Sequence, residues 1–170
     1  MRIIATVLAA SLAFAAAHAS VADRKGEIAQ AIAHAKSISL LSLEPGENGS
    51  RDSEGKCAGY CYFGWPVLGQ TVVSPSAASS VRKALSARVS APEPEAVALC
   101  FEPRHGVRLH ADGHTYDFVV CFECEQTQVF KDSSPDPIAT LNYAGSQAAW
   151  DALLSSAKVP LATPAESDGS

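Results

Sequence analysis

The sequence predicts an α+β domain with a mostly antiparallel sheet, a central β-hairpin and about three helices. Two observations lead to this prediction. Segments with helical and with strand-like apolar spacing alternate along the chain. Asp112-Gly113 also lies between two strand-like runs, and this dipeptide favours a two-residue hairpin turn. We expect residues 20–160 to form a single domain and residues 161–170 a flexible, acidic tail.

Three segments have the apolar spacing of amphipathic helices. The first is predicted from Asp23 to Lys36, the second begins at Ser74-Pro75, and the third runs from Gln147 to Ala157. Ser74 and Ser146 are suited to cap a helix N-terminus, and proline is favoured at the first helical position. The third helix is expected to present an apolar stripe to the core, because its apolar residues recur at helical spacing. That stripe consists of Trp150, Leu153, Leu154 and Ala157.

Two strand regions are predicted before the hairpin. Ile38–Leu43 is an apolar run that Glu44-Pro45 ends. Tyr60–Val73 is rich in aromatic and β-branched residues and has breakers at Gly64–Pro66, so it predicts one or two strands with a turn there.

The hairpin is predicted within residues 97–130. With Asp112-Gly113 as the turn, Ala111 pairs with His114 and Arg108 lies opposite Asp117. This register collects the apolar residues on one face, and buried faces usually fix register. The apolar face contains Phe101, Val107, Leu109, Tyr116, Phe118, Val120 and Phe122. The other face contains Glu102, Arg104, Arg108, Asp117 and Glu123. Gln126–Phe130 is expected to extend the second strand.

Residues 1–19 are predicted to form a cleavable secretory signal peptide. Arg2 precedes an apolar run of 15 residues, Ile3–Ala17, and Ala17-His18-Ala19 is a small-x-small cleavage site. The run is shorter than the roughly 20 residues that span a bilayer. We therefore expect a bacterial periplasmic or secreted protein that begins at Ser20 and has no membrane span after cleavage.

Charge and motifs exclude several classes of function. Removing 19 of 170 residues leaves 151, with 12 basic and 18 acidic side chains and a net charge of −6. An acidic chain without a Lys/Arg cluster is a poor nucleic-acid binder. Hydrolase, metalloprotease, phosphate-loop and dinucleotide motifs are absent from the sequence. We therefore expect neither a nucleic-acid partner nor a cofactor, and a binding domain is favoured over an enzyme.

The chain has five cysteines, an odd number, so at most two internal disulfides can form. They are Cys57, Cys61, Cys100, Cys121 and Cys124. On a continuous strand the Cα atoms of Cys121 and Cys124 would lie about 10 Å apart, which is too far for a bridge. A local Cys57–Cys61 bridge and longer bridges to the other three cysteines both remain open. We favour a disulfide that ties the loop of residues 44–58 to the sheet, worth about 3 kcal/mol.

Thiol-redox or metal chemistry is the alternative use of the cysteines. Cys100, His105, Cys121 and Cys124 lie on paired strands and could supply up to four nitrogen or sulfur ligands. Redox Cys-x-x-Cys pairs, however, use a helix N-terminus to lower the thiol pKa. Structural zinc sites place Cys-x-x-Cys in loops. A strand context disfavours both, and we expect no metal.

Residues 103–106, Pro-Arg-His-Gly, interrupt the first hairpin strand. Arg104 and Arg108 could bind a carboxylate, and His105 could carry a proton. A structural role is favoured instead. The arginines would pair with Glu102, Asp117 or Glu123 across the sheet, and His105 would be a satisfied, partly buried imidazole.

Two segments resemble a group of uncharacterised bacterial proteins, many of them exported or lipid-anchored. They are residues 99–107 (Leu-Cys-Phe-Glu-Pro-Arg-His-Gly-Val) and residues 117–124, which end in Cys-Phe-Glu-Cys. Shorter similarities occur at residues 41–45, 64–69 and 154–160. The resemblance implies a shared fold and a shared site, but no reaction. It also implies that Cys57 and Cys61 are particular to this chain, as an added local bridge.

The sequence thus favours a non-enzymatic envelope domain that binds a protein or small ligand. The candidate binding residues are His105 and four residues of the polar hairpin face: Arg104, Arg108, Asp117 and Glu123. The alternative is a thiol-redox or metal-binding protein that uses Cys100, His105, Cys121 and Cys124. A third hypothesis is an envelope inhibitor or immunity-type protein, which the sequence does not distinguish from the binding domain of the first hypothesis.

Overall fold

The computed structural model describes residues 20–45, 57, 59–92, 101–142 and 145–162. Within these residues the chain forms three helices and one seven-stranded sheet, which confirms the predicted α+β class. The helices are α1 (Val21–His34), α2 (Pro75–Ser90) and α3 (Gln147–Ser156). The strands are β1 (Ser37–Leu43), β2 (Cys61–Tyr62), β3 (Trp65–Val72), β4 (His105–Ala111), β5 (His114–Cys121), β6 (Gln126–Lys131) and β7 (Ala139–Asn142).

The sheet is antiparallel throughout, in the order β2-β3-β1-β4-β5-β6-β7. The β4–β5 hairpin is central and has the predicted register, with Ala111 opposite His114 and Arg108 opposite Asp117. Asp112 and Gly113 both have positive φ, 51° and 84°, as a two-residue turn of this kind requires. The predicted register is therefore confirmed between His105 and Val120, whereas Phe101, expected on the face of Val107, packs against the core that contains Tyr62 on the other face of the sheet.

Both faces of the sheet are covered. The three helices pack on one face, where alternate strand residues such as Leu40, Val107 and Phe118 are fully buried. The other face holds a smaller core, because the β2–β3 segment folds over it. This second core contains Leu41, Leu43, Tyr62, Val119 and Phe130. The polar hairpin face predicted from the sequence is thus covered by protein.

The second hairpin strand does not continue as predicted. β5 ends at Cys121, residues 122–125 form a turn, and β6 returns antiparallel to β5. Glu125 takes a positive φ of 52°, which ends the extended conformation. Gln126–Phe130 is therefore part of a separate strand, and β7 beside it was not predicted.

Helices α2 and α3 begin where the sequence predicted, whereas α1 begins at Val21, two residues before the predicted start. Ser20 caps α1 with a reciprocal capping box to Asp23, and the Ser74 hydroxyl accepts from the Ala77 amide at the start of α2. Ser146 precedes α3 but makes no side-chain cap bond. Within the described part of the chain, no helix is long and apolar enough to cross a membrane. The predicted signal peptide, Cys100 and the end of the tail lie outside the described residues.

Candidate functional site

One row of residues on the helix-covered face of the sheet contains two small residues, Gly69 and Ser42, beside His105. Gly69 in β3 pairs with Ser42 in β1, and Ser42 pairs with His105 in β4. A Cβ atom on Gly69 would lie 3.0 Å from Val159 Cγ1, so the chain after α3 passes directly over this row. The register of β1 against β3 also shifts between Ser42 and Leu43. Such irregularities often redirect side chains next to functional sites.

A cavity of about 400 Å³ opens beside this row. Its lining combines the sheet, the N-terminal half of α3, the turn after β5 and the segment that follows α3. The lining residues are Ser42, Arg104, His105, Glu123, Gln147, Asp151, Leu161 and Ala162. Six of these eight residues are polar, so the cavity is suited to a polar ligand.

His105 lies at the bottom of this cavity with a defined partner. Its Nε2 is 2.8 Å from Asp151 Oδ1, and the residue is 1% exposed. A carboxylate only accepts hydrogen bonds, so Nε2 donates and Nδ1 is left as an acceptor. Burial lowers the pKa of His105 to about 4, although the Asp151 carboxylate raises it, while Arg104 and Arg88 lower it further. The imidazole is therefore neutral at pH 7.

Two buried polar atoms at the cavity have no hydrogen-bond partner among the described residues: Ser42 Oγ and His105 Nδ1. Leaving a buried polar group unsatisfied costs about 1–3 kcal/mol, so such groups call for an explanation. Ser42 and His105 are directly opposed on neighbouring strands, which places their Cβ atoms about 4.5–5.5 Å apart. We name Ser42, His105 and Asp151 the cavity cluster. Thr127 Oγ1 is also unsatisfied but does not line the cavity.

A cation and a carboxylate flank the mouth of the cavity. The Arg104 side chain is 8% exposed, and its Nε is 3.6 Å from Oε1 of the largely exposed Glu123. Glu123 belongs to the turn after β5, whose Phe122 ring packs edge-on against His105 at 5.0 Å and Trp150 at 5.5 Å. The turn therefore holds one wall of the cavity.

A disulfide closes this turn, which corrects a sequence prediction. Cys121 and Cys124 are bonded, with their Cα atoms 5.3 Å apart, whereas a continuous strand would have kept them about 10 Å apart. The prediction was wrong because the strand ends at Cys121. Cys57 and Cys61 form the local bridge that was one of the open pairings.

The alternative metal set gains no geometric support from the described residues. No group of three or more His, Cys, Asp or Glu side chains there is arranged to hold a metal ion. Cys121 and Cys124 are bonded to each other, and His105 Nε2 is bonded to Asp151. Cys100 lies outside the described residues.

A second polar cluster lies on the opposite face of the same hairpin. Asp117 is fully buried, and Arg108 donates to it from Nε at 2.7 Å and from Nη2 at 3.4 Å. The Tyr62 hydroxyl lies 2.9 Å from Asp117 Oδ1 and 2.8 Å from the Val107 carbonyl oxygen, and shares its proton between them. We name Tyr62, Arg108 and Asp117 the hairpin cluster.

Electrostatics keep Tyr62 protonated and Arg108 positively charged. Burial lowers the pKa of Arg108, but the hydrogen bond and charge of Asp117 outweigh that effect and keep the pKa above its usual value. Burial and the charge of Asp117 raise the pKa of Tyr62 well above its usual value. A depression of about 450 Å³ lies over this cluster, but its charged groups already bond one another. The two sites therefore have similar volumes. They differ in whether their buried polar atoms have hydrogen-bond partners.

The five candidate binding residues divide between the two clusters. Arg104, His105 and Glu123 line the cavity, whereas Arg108 and Asp117 lie on the opposite face.

Sequence reasoning missed Ser42 and Asp151. Ser42 had a detectable signal, since it shares the buried face of β1 with Ile38 and Leu40, and a serine in such a row is out of place. Asp151 had none, because it lies beside the apolar stripe of α3 like any surface residue.

Comparison of the chain with protein-family models, with curated proteins and with solved structures finds no match. The functional inference therefore depends on the geometry of the cavity. The resemblance to exported bacterial proteins stays a prediction.

Proposed function

We propose that the protein is an exported envelope domain that binds a small polar molecule in the cavity. The observation that carries this proposal is the pair of unsatisfied buried atoms, Ser42 Oγ and His105 Nδ1, which belong to two residues that line the cavity. A bound ligand would supply the missing hydrogen bonds, as ligands do for the few well-placed polar groups of typical binding sites.

The lining also defines the ligand chemistry. His105 Nδ1 is an acceptor, so it favours a ligand hydroxyl or amino group. Arg104 provides the planar set of donors that suits a carboxylate. We therefore propose a small molecule that carries a carboxylate together with a hydroxyl or amino group. Export is supported by the two disulfides, which form and persist in oxidising compartments.

A nuclear magnetic resonance screen tests this proposal. Small hydroxy acids and amino acids are added to the ¹⁵N-labelled protein, and amide shifts are followed. We expect saturable shifts at residues 42, 105, 123 and 151, which disappear in His105→Gln. His114→Gln is the matched control, because His114 pairs with Asp132 at 2.7 Å but lies outside the cavity. Shifts that survive in His105→Gln, or a screen without saturable binding, would contradict the proposal.

Dithiol–disulfide chemistry at Cys121–Cys124 is a second candidate function. It is favoured by one observation: the disulfide closes the turn after β5, whereas the sequence predicted both cysteines on one continuous strand. The Cys124 amide also donates to Cys121 Sγ at 3.1 Å, and such a bond stabilises a thiolate. Cys124 is partly exposed, so an incoming thiolate would attack its sulfur and release Cys121.

Equilibration with glutathione buffers followed by alkylation and mass analysis tests the second candidate. The candidate predicts that Cys121–Cys124 exchanges near −200 mV while Cys57–Cys61 stays closed. A Cys121–Cys124 bridge that remains oxidised below about −300 mV would be structural, which excludes this candidate.

A further inference from the structure

Ser42, His105 and Asp151 together have the composition of a nucleophilic triad. In such a triad a hydroxyl attacks the substrate, an imidazole takes its proton, and a carboxylate orients the imidazole. These three residues come from β1, β4 and α3, so their proximity depends on the fold and has no sequence motif.

We infer that Ser42 is a nucleophile, with His105 Nδ1 as its general base and Asp151 as the residue that positions His105. The inference rests on the proposed ligand cavity and adds a reaction to it: hydrolysis of small carboxylic esters. The products of that reaction are a carboxylate and an alcohol, the two groups that the cavity lining favours.

The geometry supports each of the three roles. Ser42 and His105 are opposed across β1 and β4, and both side chains line the cavity. Nδ1 and Ser42 Oγ have no hydrogen bond among the described residues, either to each other or to a third group, so both remain available to the substrate and to one another. Asp151 fixes the ring through Nε2, which leaves the Nδ1 lone pair on the other edge of the ring. Catalytic hydrogen bonds are often long in ligand-free proteins and shorten in complexes.

The reaction balances within these groups and one water molecule. Ser42 Oγ forms a bond to the acyl carbon and gives its proton to His105 Nδ1. The bond from the acyl carbon to the alcohol oxygen breaks, and the alcohol leaves with that proton. Water then attacks the acyl-serine, again giving a proton to Nδ1, and the carboxylic acid leaves as Ser42 recovers its proton. Arg104 is the cation of the cavity that would face the negative oxygen of each intermediate.

The surroundings of His105 affect its strength as a base. Trp150 and Phe122 bury the ring, Arg104 and Arg88 add positive charge, and Asp151 is the facing carboxylate. Burial lowers the pKa of His105 to about 4, and Asp151 partly opposes this. Reaction at Ser42 should therefore increase with pH as His105 loses its proton and then reach a plateau near neutral pH.

Labelling of the full chain with phenylmethylsulfonyl fluoride, read by intact mass and peptide mapping, tests the inference. We expect one sulfonyl adduct, on Ser42, that is absent in Ser42→Ala. Ser39→Ala is the matched control, because Ser39 lies in the same strand on the opposite face, across from Arg108. In His105→Gln the labelling rate should fall by about 100-fold or more. No adduct on Ser42, or equally fast labelling in His105→Gln, overturns the inference.

Asp151 needs a readout that a purely structural role would not change. In Asp151→Asn we expect slower labelling and a rate–pH profile whose midpoint moves to lower pH, because the carboxylate that raises the pKa of His105 is gone. An unchanged midpoint overturns the positioning role. The labelling experiment and the resonance screen test different claims. If the protein binds hydroxy acids but Ser42 does not react, the proposed ligand binding stands and only the nucleophilic role of Ser42 is overturned.

Discussion

Two polar clusters lie on opposite faces of one hairpin, only a few residues apart in sequence. Each joins a side chain of β4 to a carboxylate: His105 to Asp151, and Arg108 to Asp117. They differ in what remains unsatisfied. Every polar side chain of the hairpin cluster has a partner within the cluster, whereas the cavity cluster contains two buried atoms that have none among the described residues.

This difference indicates that the hairpin cluster stabilises the fold and that the cavity cluster serves ligand binding or a reaction. Native proteins satisfy nearly all buried polar groups, and the exceptions concentrate where a ligand or a reaction uses them. The hairpin cluster is expected to hold the hairpin to β2 through Tyr62, which bonds both Asp117 and the Val107 carbonyl. The cavity cluster is expected to contribute little to stability at neutral pH. The following substitutions and one change of pH test the contrast between the two clusters, from the largest expected effect to the smallest.

Asp117→Asn should be the most destabilising change. It leaves the guanidinium of Arg108 without its carboxylate, and breaking a buried ion pair costs about 3–5 kcal/mol. We expect the lower part of that range, because the Arg108 side chain is 28% exposed. Urea denaturation measures the change in the free energy of unfolding. Asp132→Asn, in the half-exposed His114–Asp132 pair, should cost much less than Asp117→Asn, because solvent screens exposed ion pairs. If the two variants lower the free energy of unfolding equally, the hairpin cluster stabilises the fold no more than an exposed ion pair does.

Acid should destabilise the protein through His105. The pKa of this buried imidazole is about 4 in the folded chain and 6.5 in the unfolded chain, so the unfolded chain binds more protons between these values. Stability is therefore full above pH 6.5 and falls as the pH drops towards 4, by about 3 kcal/mol. Unfolding free energies at pH 7, 5.5 and 4.5 measure this loss. His105→Gln should lack that part of the pH dependence, and an identical pH dependence in both proteins would refute the assignment.

Gly106→Ala tests how tightly Tyr62 is held in the hairpin cluster. A Cβ atom at this position would lie 2.6 Å from Tyr62 Cε1, and the two contacts of the Tyr62 hydroxyl prevent the ring from moving away. We expect a loss of about 1–3 kcal/mol, as for other overpacked sites. Gly26→Ala, where a Cβ atom meets nothing within 4 Å, is the control and should not destabilise the protein. A neutral Gly106→Ala would mean that Tyr62 is free to shift.

Local sequence signals predicted much of the fold. The Asp112-Gly113 turn fixed the hairpin register, because only one register buries Val107, Leu109 and Phe118 together. The Ser74-Pro75 helix start was equally local. The turn at residues 122–125 was not foreseen, because Cys-Phe-Glu-Cys contains neither glycine nor proline to mark the end of a strand.

The candidate site was only half predictable. His105 and Arg104 were identified because they belong to an unusual Pro-Arg-His-Gly segment. Asp151 reaches His105 only through the packing of α3 on the sheet, a contact between residues 46 positions apart that no periodicity encodes. Arg104 and Glu123 were expected on the same face as Arg108 and Asp117, because alternation was extended beyond the true ends of the strands, His105 and Cys121.

The free energy of unfolding of Ser42→Ala at pH 7 tests the contrast between the clusters most directly. If the Ser42 hydroxyl is held for a ligand or a reaction, its removal eliminates an unsatisfied buried group and should leave stability unchanged or raise it by up to about 1 kcal/mol. Ser39→Ala reports the effect of the same substitution on the opposite face. A loss of more than about 1 kcal/mol in Ser42→Ala, relative to Ser39→Ala, would show that the hydroxyl stabilises the fold and would contradict the account.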